Sequence, residues 1–61
     1  DTYYFYRVKS LVEAGLKDYK SAIISAQKSL ELARKEDKDE FVRMNEQNIS
    51  LWENKQINTK Q

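Results

Sequence analysis

Serine side chains are the first candidates for chemistry in this chain, because several of them follow a regular helical spacing. Ser21, Ser25 and Ser29 stand at i, i+4 and i+8, whereas Ser10 and Ser50 lie apart from them. A serine becomes a nucleophile only beside a base, and the sequence contains no histidine that could serve as a base near neutral pH. It also contains no cysteine thiol. We therefore interpret the serines as packing residues and do not expect an enzyme.

Acidic residues at positions 36–40 are the second candidate, because clustered carboxylates can bind a hard cation such as calcium. They are Glu36, Asp37, Asp39 and Glu40. An EF-hand loop needs acids at alternating positions, a central glycine and a distal glutamate, and that pattern is missing. Lys35 and Lys38 also neutralise the cluster. We expect a solvated, helix-capping connection that binds neither a metal nor any other cofactor.

The aromatic run at the start of the chain is the third candidate, because aromatic rings beside basic residues can stack on nucleic-acid bases. It consists of Tyr3, Tyr4, Phe5 and Tyr6, followed by Arg7 and Lys9. Such a site also needs a basic groove, and the net charge of the chain is only +1. We expect no nucleic-acid partner. No apolar run approaches the roughly 18 residues that span a bilayer, so we also expect no membrane partner.

The small size of the chain limits how it can be stable. Its 61 residues allow one small domain, residues 1–61, with no disulfide and no zinc site of the common kinds. For scaffolds of this size, hydrophobic burial is usually cancelled by the lost conformational entropy. We therefore expect a homo-oligomer or a part of a larger protein. The first residue is Asp1 rather than methionine, which suggests a missing upstream segment.

The apolar spacing and the absence of proline predict three helices and no strands. They should cover about 2–14, 19–34 and 40–55, with a frayed polar tail at 56–61. Gly15 is expected to end helix 1 in the left-handed conformation, and Asp18 to cap helix 2. Asp37 and Glu40 fit a capping box at the start of helix 3, although Asp39 competes for the cap position.

A stripe of small residues on helix 2 is the most informative packing signal. Ala22, Ala26, Ser29 and Ala33 recur at i, i+4, i+7 and i+11, so another helix can approach closely along them. Helix 1 carries a bulkier stripe, and helix 3 a broad apolar arc. The predicted core is Tyr4, Val8, Leu11, Ala22, Ile23, Ala26, Leu30, Phe41, Ile49 and Trp52. Ile24 points toward the wet face of helix 2 and could contact a partner.

Two asparagines fall within the apolar arc of helix 3. A buried amide must find hydrogen-bond partners or it costs about 1–3 kcal/mol. Asn45 and Asn48 could fix the helix register, with Asn45 bonding the turn between helices 1 and 2 or a helix end. Alternatively, they could grip the backbone of a bound peptide. We favour the structural role.

Helix 2 resembles the second helix of a tetratricopeptide repeat (TPR), a helix–turn–helix unit of about 34 residues. The segment Lys28-Ser29-Leu30-Glu31-Leu32 is similar to the usual Lys-Ala-Leu-Glu-Leu ending, and the recurrent aromatic, alanine and aliphatic positions are also filled. Those positions hold Tyr19, Ala22, Ile23, Leu30 and Leu32. In helix 1, Tyr6 and Ser10 fit the repeat. Other positions depart from the repeat: Lys9 occupies a leucine position, Glu13 a tyrosine position, Lys17 the position of the turn glycine and Arg34 that of the closing proline.

Four segments together resemble the helical tail that closes a family of exported Gram-negative bacterial proteins of unknown function. They are residues 4–10, 22–33, 39–46 and 49–52. In that family the tail follows a β-rich domain and brings no catalytic residues. The resemblance implies a periplasmic or secreted parent protein, whereas the residues alone give no localisation.

Together these observations predict an all-α, three-helix TPR-like unit, in which an antiparallel hairpin is capped by a third helix. The expected function is a non-catalytic protein–protein interaction or self-assembly module of a larger protein, binding itself, a parent domain or a partner helix. The alternative is a purely structural C-terminal appendage whose parent's activity lies in an upstream domain. The candidate interaction surface is Tyr3, Tyr4, Phe5, Tyr6, Ile24, Asn45, Asn48 and Trp52.

Overall fold

The computed structural model describes residues 1–59, and over this range the chain is all-α with three helices. Helix α1 spans Thr2–Gly15, α2 spans Tyr19–Lys35 and α3 spans Asp39–Thr59. Short turns connect them, so successive helices run antiparallel. The middle helix, α2, packs against both neighbours. The predicted fold class is confirmed at this level, while the likeness to a TPR stays a prediction.

Measured against bilayer thickness, none of the helices in residues 1–59 has both the length and the apolar character of a membrane span.

The small stripe on α2 lies at the centre of the fold, as its spacing predicts. Ala22, Ala26, Ser29 and Ala33 are all completely buried. Trp52 of α3 covers Ala22 and Ala26 and is only 4% exposed. Four partly buried residues pack around this cluster, namely Ala14, Tyr19, Ile23 and Ile49. Because its small residues let the backbones of α1 and α3 approach closely, the core forms on both sides of α2.

The orientation predicted for α1 is wrong. Tyr4, Val8 and Leu11, expected in the core, are 55%, 42% and 43% exposed. Tyr3 and Ser10 are buried instead. The small side of α1, which carries Ser10 and Ala14, faces α2, because a small side chain lets the two backbones approach closely.

Each interhelical turn is closed by a non-glycine residue in the left-handed conformation. Lys17 has φ 65° and Asp37 has φ 58°. In the first turn the Asp18 N–H donates to the Glu13 carbonyl and the Lys17 N–H to the Ala14 carbonyl, both at 2.9 Å. This is the Schellman pattern. The role predicted for Gly15 is wrong: Gly15 is the last helical residue of α1, and the left-handed residue that closes the bonds comes two positions later.

The helix starts confirm one predicted cap and correct another. Asp18 caps α2, accepting a hydrogen bond from the Ser21 N–H at 3.3 Å. The capping box at Asp37 is wrong, because Asp37 lies in the preceding turn. The bond from the Val42 N–H to the Lys38 carbonyl, 3.1 Å, instead places Lys38 at the N-terminal boundary of α3.

The C-terminal boundary of α3 also needs correction. Residues 56–59, predicted to fray, continue the helix, and Gln56 is half-buried. No glycine or proline interrupts this stretch, so polarity alone does not end the helix. The last two positions of the predicted frayed tail, 60–61, lie outside the described residues.

Replacing Lys17 with glycine should stabilise the protein by about 0.5–1 kcal/mol, because glycine adopts positive φ without the steric cost paid by other residues. Urea unfolding followed by circular dichroism measures the change. Lys20→Gly, in the first turn of α2, is the matched control and should destabilise by about 1 kcal/mol. Equal destabilisation by both variants would contradict the assigned turn geometry.

Candidate functional site

A buried polar group joins the three helices at the middle of the fold. Asn45 of α3 is completely buried, and its Nδ2 donates to Ser29 Oγ of α2 at 2.8 Å. Ser29 Oγ in turn donates to the Tyr3 carbonyl of α1 at 2.6 Å. Because each of these bonds joins two different helices, the group fixes how the helices sit against one another.

Arg7 completes this group from α1. Its Nη1 donates to the Oδ1 atoms of both Asn45 and Asn48, each at 3.0 Å. Among the described side chains, no buried nitrogen or oxygen atom lacks a hydrogen-bond partner. The predicted register role of Asn45 agrees with this geometry, but the predicted partners are wrong: Asn45 bonds side chains within the helices, not the first turn or a helix end.

The side of α1 that faces away from α2 is apolar along its whole length. Six residues form this surface, which we call the outer face of α1: Tyr4, Phe5, Val8, Leu11, Val12 and Leu16. Their exposure ranges from 42% for Val8 to 76% for Leu16. At 3.6 residues per turn these positions share one side of the helix. A continuous apolar strip of this kind indicates a protein-binding surface more strongly than scattered apolar residues do.

The residues predicted to form an interaction surface separate into three groups. Tyr4, Phe5 and Ile24 are exposed, and Tyr6 and Asn48 are half-buried. Tyr3, Asn45 and Trp52 are buried, so this part of the prediction is wrong: Tyr3 and Trp52 belong to the core and Asn45 to the polar group. Sequence reasoning missed Val8, Leu11, Val12 and Leu16 as surface residues. The signal that could have revealed them is the small pair Ser10 and Ala14. This pair lies on the opposite side of α1 and can pack closely against the small stripe of α2.

Aromatic contacts hold the start of α1 against α3. The ring of Phe41 forms edge-to-face contacts with the rings of Tyr3 and Tyr4, at centroid distances of 5.1 and 6.2 Å. Such edge-to-face pairs contribute about 0.5–1.5 kcal/mol beyond the area they bury. Phe41 therefore orients Tyr4 at one end of the outer face, although Tyr4 itself stays more than half exposed.

A second surface, apart from the outer face, is a shallow groove of about 420 Å³ between α1 and α2. Tyr6 and Ile24 line it, together with Lys28, whose Nζ lies 5.9 Å from the centroid of the Tyr6 ring. The groove places Tyr6 and Ile24, both predicted surface residues, side by side. It has only these two large apolar side chains, so it is less suited to protein binding than the outer face.

Lys9, Glu13 and Ser25 form the arrangement closest to a catalytic one. Glu13 accepts from Lys9 Nζ and from Ser25 Oγ, each at 2.7 Å, and Lys9 Nζ lies 3.3 Å from Ser25 Oγ. The hydrogen bond from Lys9 lowers the pKa of Glu13, and the bond from Ser25 acts in the same direction, against the effect of burial. A carboxylate with a lowered pKa is a weak base for a serine hydroxyl. The arrangement pairs charges across the hairpin and gives no reason to assign catalysis.

No groups of three or more histidine, cysteine, aspartate or glutamate residues suited to a metal ion occur in the part of the chain that the structure describes. The comparisons with known proteins found no match: no family model fits the sequence, and neither the curated proteins nor the solved structures gave a significant similarity.

Asn45→Ala should lower the free energy of unfolding by about 2 kcal/mol, because it deletes bonds to two other helices and leaves a small cavity. Chemical denaturation at fixed protein concentration measures the change. Asn54→Ala, at an exposed position of the same helix, is the control and should leave stability unchanged or raise it by up to about 0.7 kcal/mol, since alanine is the better helix former. If the two variants unfold alike, the buried group does not hold the helices together.

Acid should remove the stabilisation that Glu13 provides. Because its folded-state pKa is below the ordinary value of 4.5, the contribution is complete above that pH and declines as the pH falls through the folded-state pKa. Lys9 is partly solvent-exposed, so the loss should stay below about 1 kcal/mol. Glu13→Gln should flatten this part of a stability profile measured from pH 6 to pH 3. An unchanged profile for Glu13→Gln would contradict the assignment.

Proposed function

We propose that this chain is a non-catalytic protein–protein interaction or self-assembly module of a larger protein. The observation that carries the proposal is the outer face of α1, on which six large apolar residues are each more than 40% exposed, although Tyr4 also meets Phe41 of α3. Keeping such a strip in water forgoes about 25 cal/mol for every Å² of apolar surface left unburied. A helix packed along the strip would remove that surface from water.

The opposite side of the molecule supports the same proposal by contrast. The outward side of α3 is mainly polar: it carries Arg43, Glu46, Gln47, Ser50 and Asn54, all exposed, with two exposed apolar residues, Leu51 and Ile57, among them. In helical arrays a terminal helix has a polar outer side, whereas an internal helix is apolar toward both neighbours. By this criterion α3 resembles a terminal helix, and α1 resembles an internal helix that has a neighbour on its outer face.

The proposal includes a TPR-like arrangement of α1 and α2. It is supported by the completely buried small stripe of α2 and by the positive φ of Lys17, the position at which the repeat carries its turn glycine. The two departures in helix 1, Lys9 and Glu13, pair with each other at 2.7 Å. Lys9 and Glu13, which occupy positions that are apolar in the repeat, therefore form an ion pair with each other.

The second candidate is a purely structural C-terminal appendage, in which the outer face of α1 packs on another domain of the same polypeptide. The polar outer side of α3 favours this candidate as well, because it suits the last element of a longer chain. Both candidates use the same surface, and they differ in whether its occupant belongs to the same polypeptide.

A photo-crosslinking phenylalanine analogue separates these candidates when it replaces Phe5 or Val12 in the full-length parent protein inside cells. We expect adducts from both positions, because both face outward along the proposed binding surface. The same analogue at Leu51 or Asn54 of α3 is the control and should give none. Mass spectrometry then identifies the attached peptide: an adduct to another protein or between two copies of the parent supports an interaction or self-assembly module, and an adduct to a different domain within the same copy supports an appendage. If the α1 positions give no more adduct than the α3 positions, the proposed surface is wrong.

A further inference from the structure

We propose that the outer face of α1 binds the same face of a second copy of this chain, with the two α1 helices antiparallel. This inference rests on the proposed function and names its partner. Three features of the face carry it: its register, its size complementarity and its charges.

The register of the face is that of a self-complementary seam. Tyr4, Val8, Leu11 and Gly15 recur at alternating intervals of four and three residues, the spacing at which helices interlock side by side. With a twofold axis midway between Val8 and Leu11, Val8 of one copy faces Leu11 of the second copy. Tyr4 then faces Gly15 of the second copy, and both contacts occur twice. Phe5 and Val12 widen the seam along one edge.

Size complementarity favours the antiparallel direction. Tyr4 is 55% exposed and is the largest residue of the seam. A Cβ atom added to Gly15 would meet nothing within 4 Å, so open space lies at that end. An antiparallel pair places each tyrosine in the space beside a glycine. A parallel pair would set Tyr4 against Tyr4 and leave a void between the two glycines.

The charges at the two ends of α1 favour the same direction. Asp1 stands just before the helix, and its side chain makes no capping hydrogen bond. Lys17 stands just after the helix and is exposed. In the antiparallel register Asp1 of each copy lies opposite the neighbouring Lys17 and Asp18 of the other, whose charges offset each other, whereas a parallel pair would set Asp1 against Asp1. The dipoles of two antiparallel helices also oppose each other favourably.

The area available is sufficient for a reversible dimer. The exposed parts of the six outer-face side chains amount to roughly 600 Å² per copy, if a fully exposed large side chain presents about 150–250 Å². Complete burial of these parts in both copies would remove at most about 1,200 Å², the lower end of the range for specific complexes. We therefore expect a dimer that dissociates on dilution.

Sedimentation equilibrium of the whole chain over a concentration series tests the pairing. We expect a monomer–dimer equilibrium. Leu11→Glu should raise the dissociation constant by at least about tenfold, because the twofold axis places two carboxylates in the apolar seam. Leu51→Glu is the matched control: its leucine is 49% exposed, close to the 43% of Leu11, but it lies on α3. Val12→Glu is a second variant for the seam, and circular dichroism checks that each variant folds.

Cysteine cross-linking tests the direction, because the natural sequence contains no cysteine. Chains with Tyr4→Cys are mixed with chains with Gly15→Cys and oxidised. An antiparallel pair should give disulfides almost entirely between the two different variants, since equivalent positions lie about 16 Å apart along the axis. A parallel pair would give disulfides between identical variants and would overturn the direction we propose.

Failure of this inference can be told apart from failure of the proposed function. A chain that stays monomeric up to millimolar concentration, or that dimerises equally well with Leu11→Glu, rules out pairing through α1. The outer face would remain a binding surface for another polypeptide if Phe5 and Val12 still cross-link to one in cells. Absence of both self-pairing and α1-specific adducts overturns both proposals.

Discussion

One buried amide, that of Asn45, determines how α1 is turned in this protein. An amide enclosed by three helices must find partners inside the fold, because water cannot reach it. Ser29 and Arg7 provide those partners, and Ser29 in turn donates a hydrogen bond to the Tyr3 carbonyl. Rotating α1 about its axis to bury Tyr4, Val8 and Leu11 would withdraw Arg7 from the amide. Such a rotation would bury more apolar surface, but it would also leave polar groups at the centre of the molecule without hydrogen-bond partners.

The consequence is a first helix with two different sides. Toward α2 it presents Ser10 and Ala14, whose small size lets the backbones approach along the alanine stripe. Toward solvent it presents the outer face. Most small domains bury their largest apolar residues, and here the burial of Tyr3 and Trp52 is accompanied by exposure of a whole apolar strip. The buried polar group thus fixes the orientation of α1, and that orientation leaves the outer face exposed, which connects the polar group to the proposed function.

Much of the fold could be predicted from local patterns. The small stripe of α2, the cap at Asp18 and the core position of Trp52 each follow from side-chain size or hydrogen-bonding capacity at a known helical spacing. The direction of α1 could not be predicted in the same way, because periodicity shows that a stripe exists but not what it faces. Tyr4, Val8 and Leu11 formed the stronger stripe, whereas the weaker one at Ser10 and Ala14 decided the packing.

The left-handed turn at Lys17 was missed because glycine was nearby and lysine rarely adopts that conformation. The polar group itself depends on Arg7 reaching across from α1 to α3, which no local pattern reveals.

Exchange of the side-chain amide protons of Asn45, followed by nuclear magnetic resonance, tests this account most directly. The side-chain amides of Asn54 and Asn58, exposed positions on the same helix, provide the comparison within one sample. If Asn45 is enclosed and bonded to Ser29 and Arg7, its amide protons should exchange far more slowly than those two and should show contacts to protons of α1 and α2. Exchange of Asn45 as fast as that of Asn54 would show that the amide meets solvent, and the orientation of α1 derived from it would be wrong.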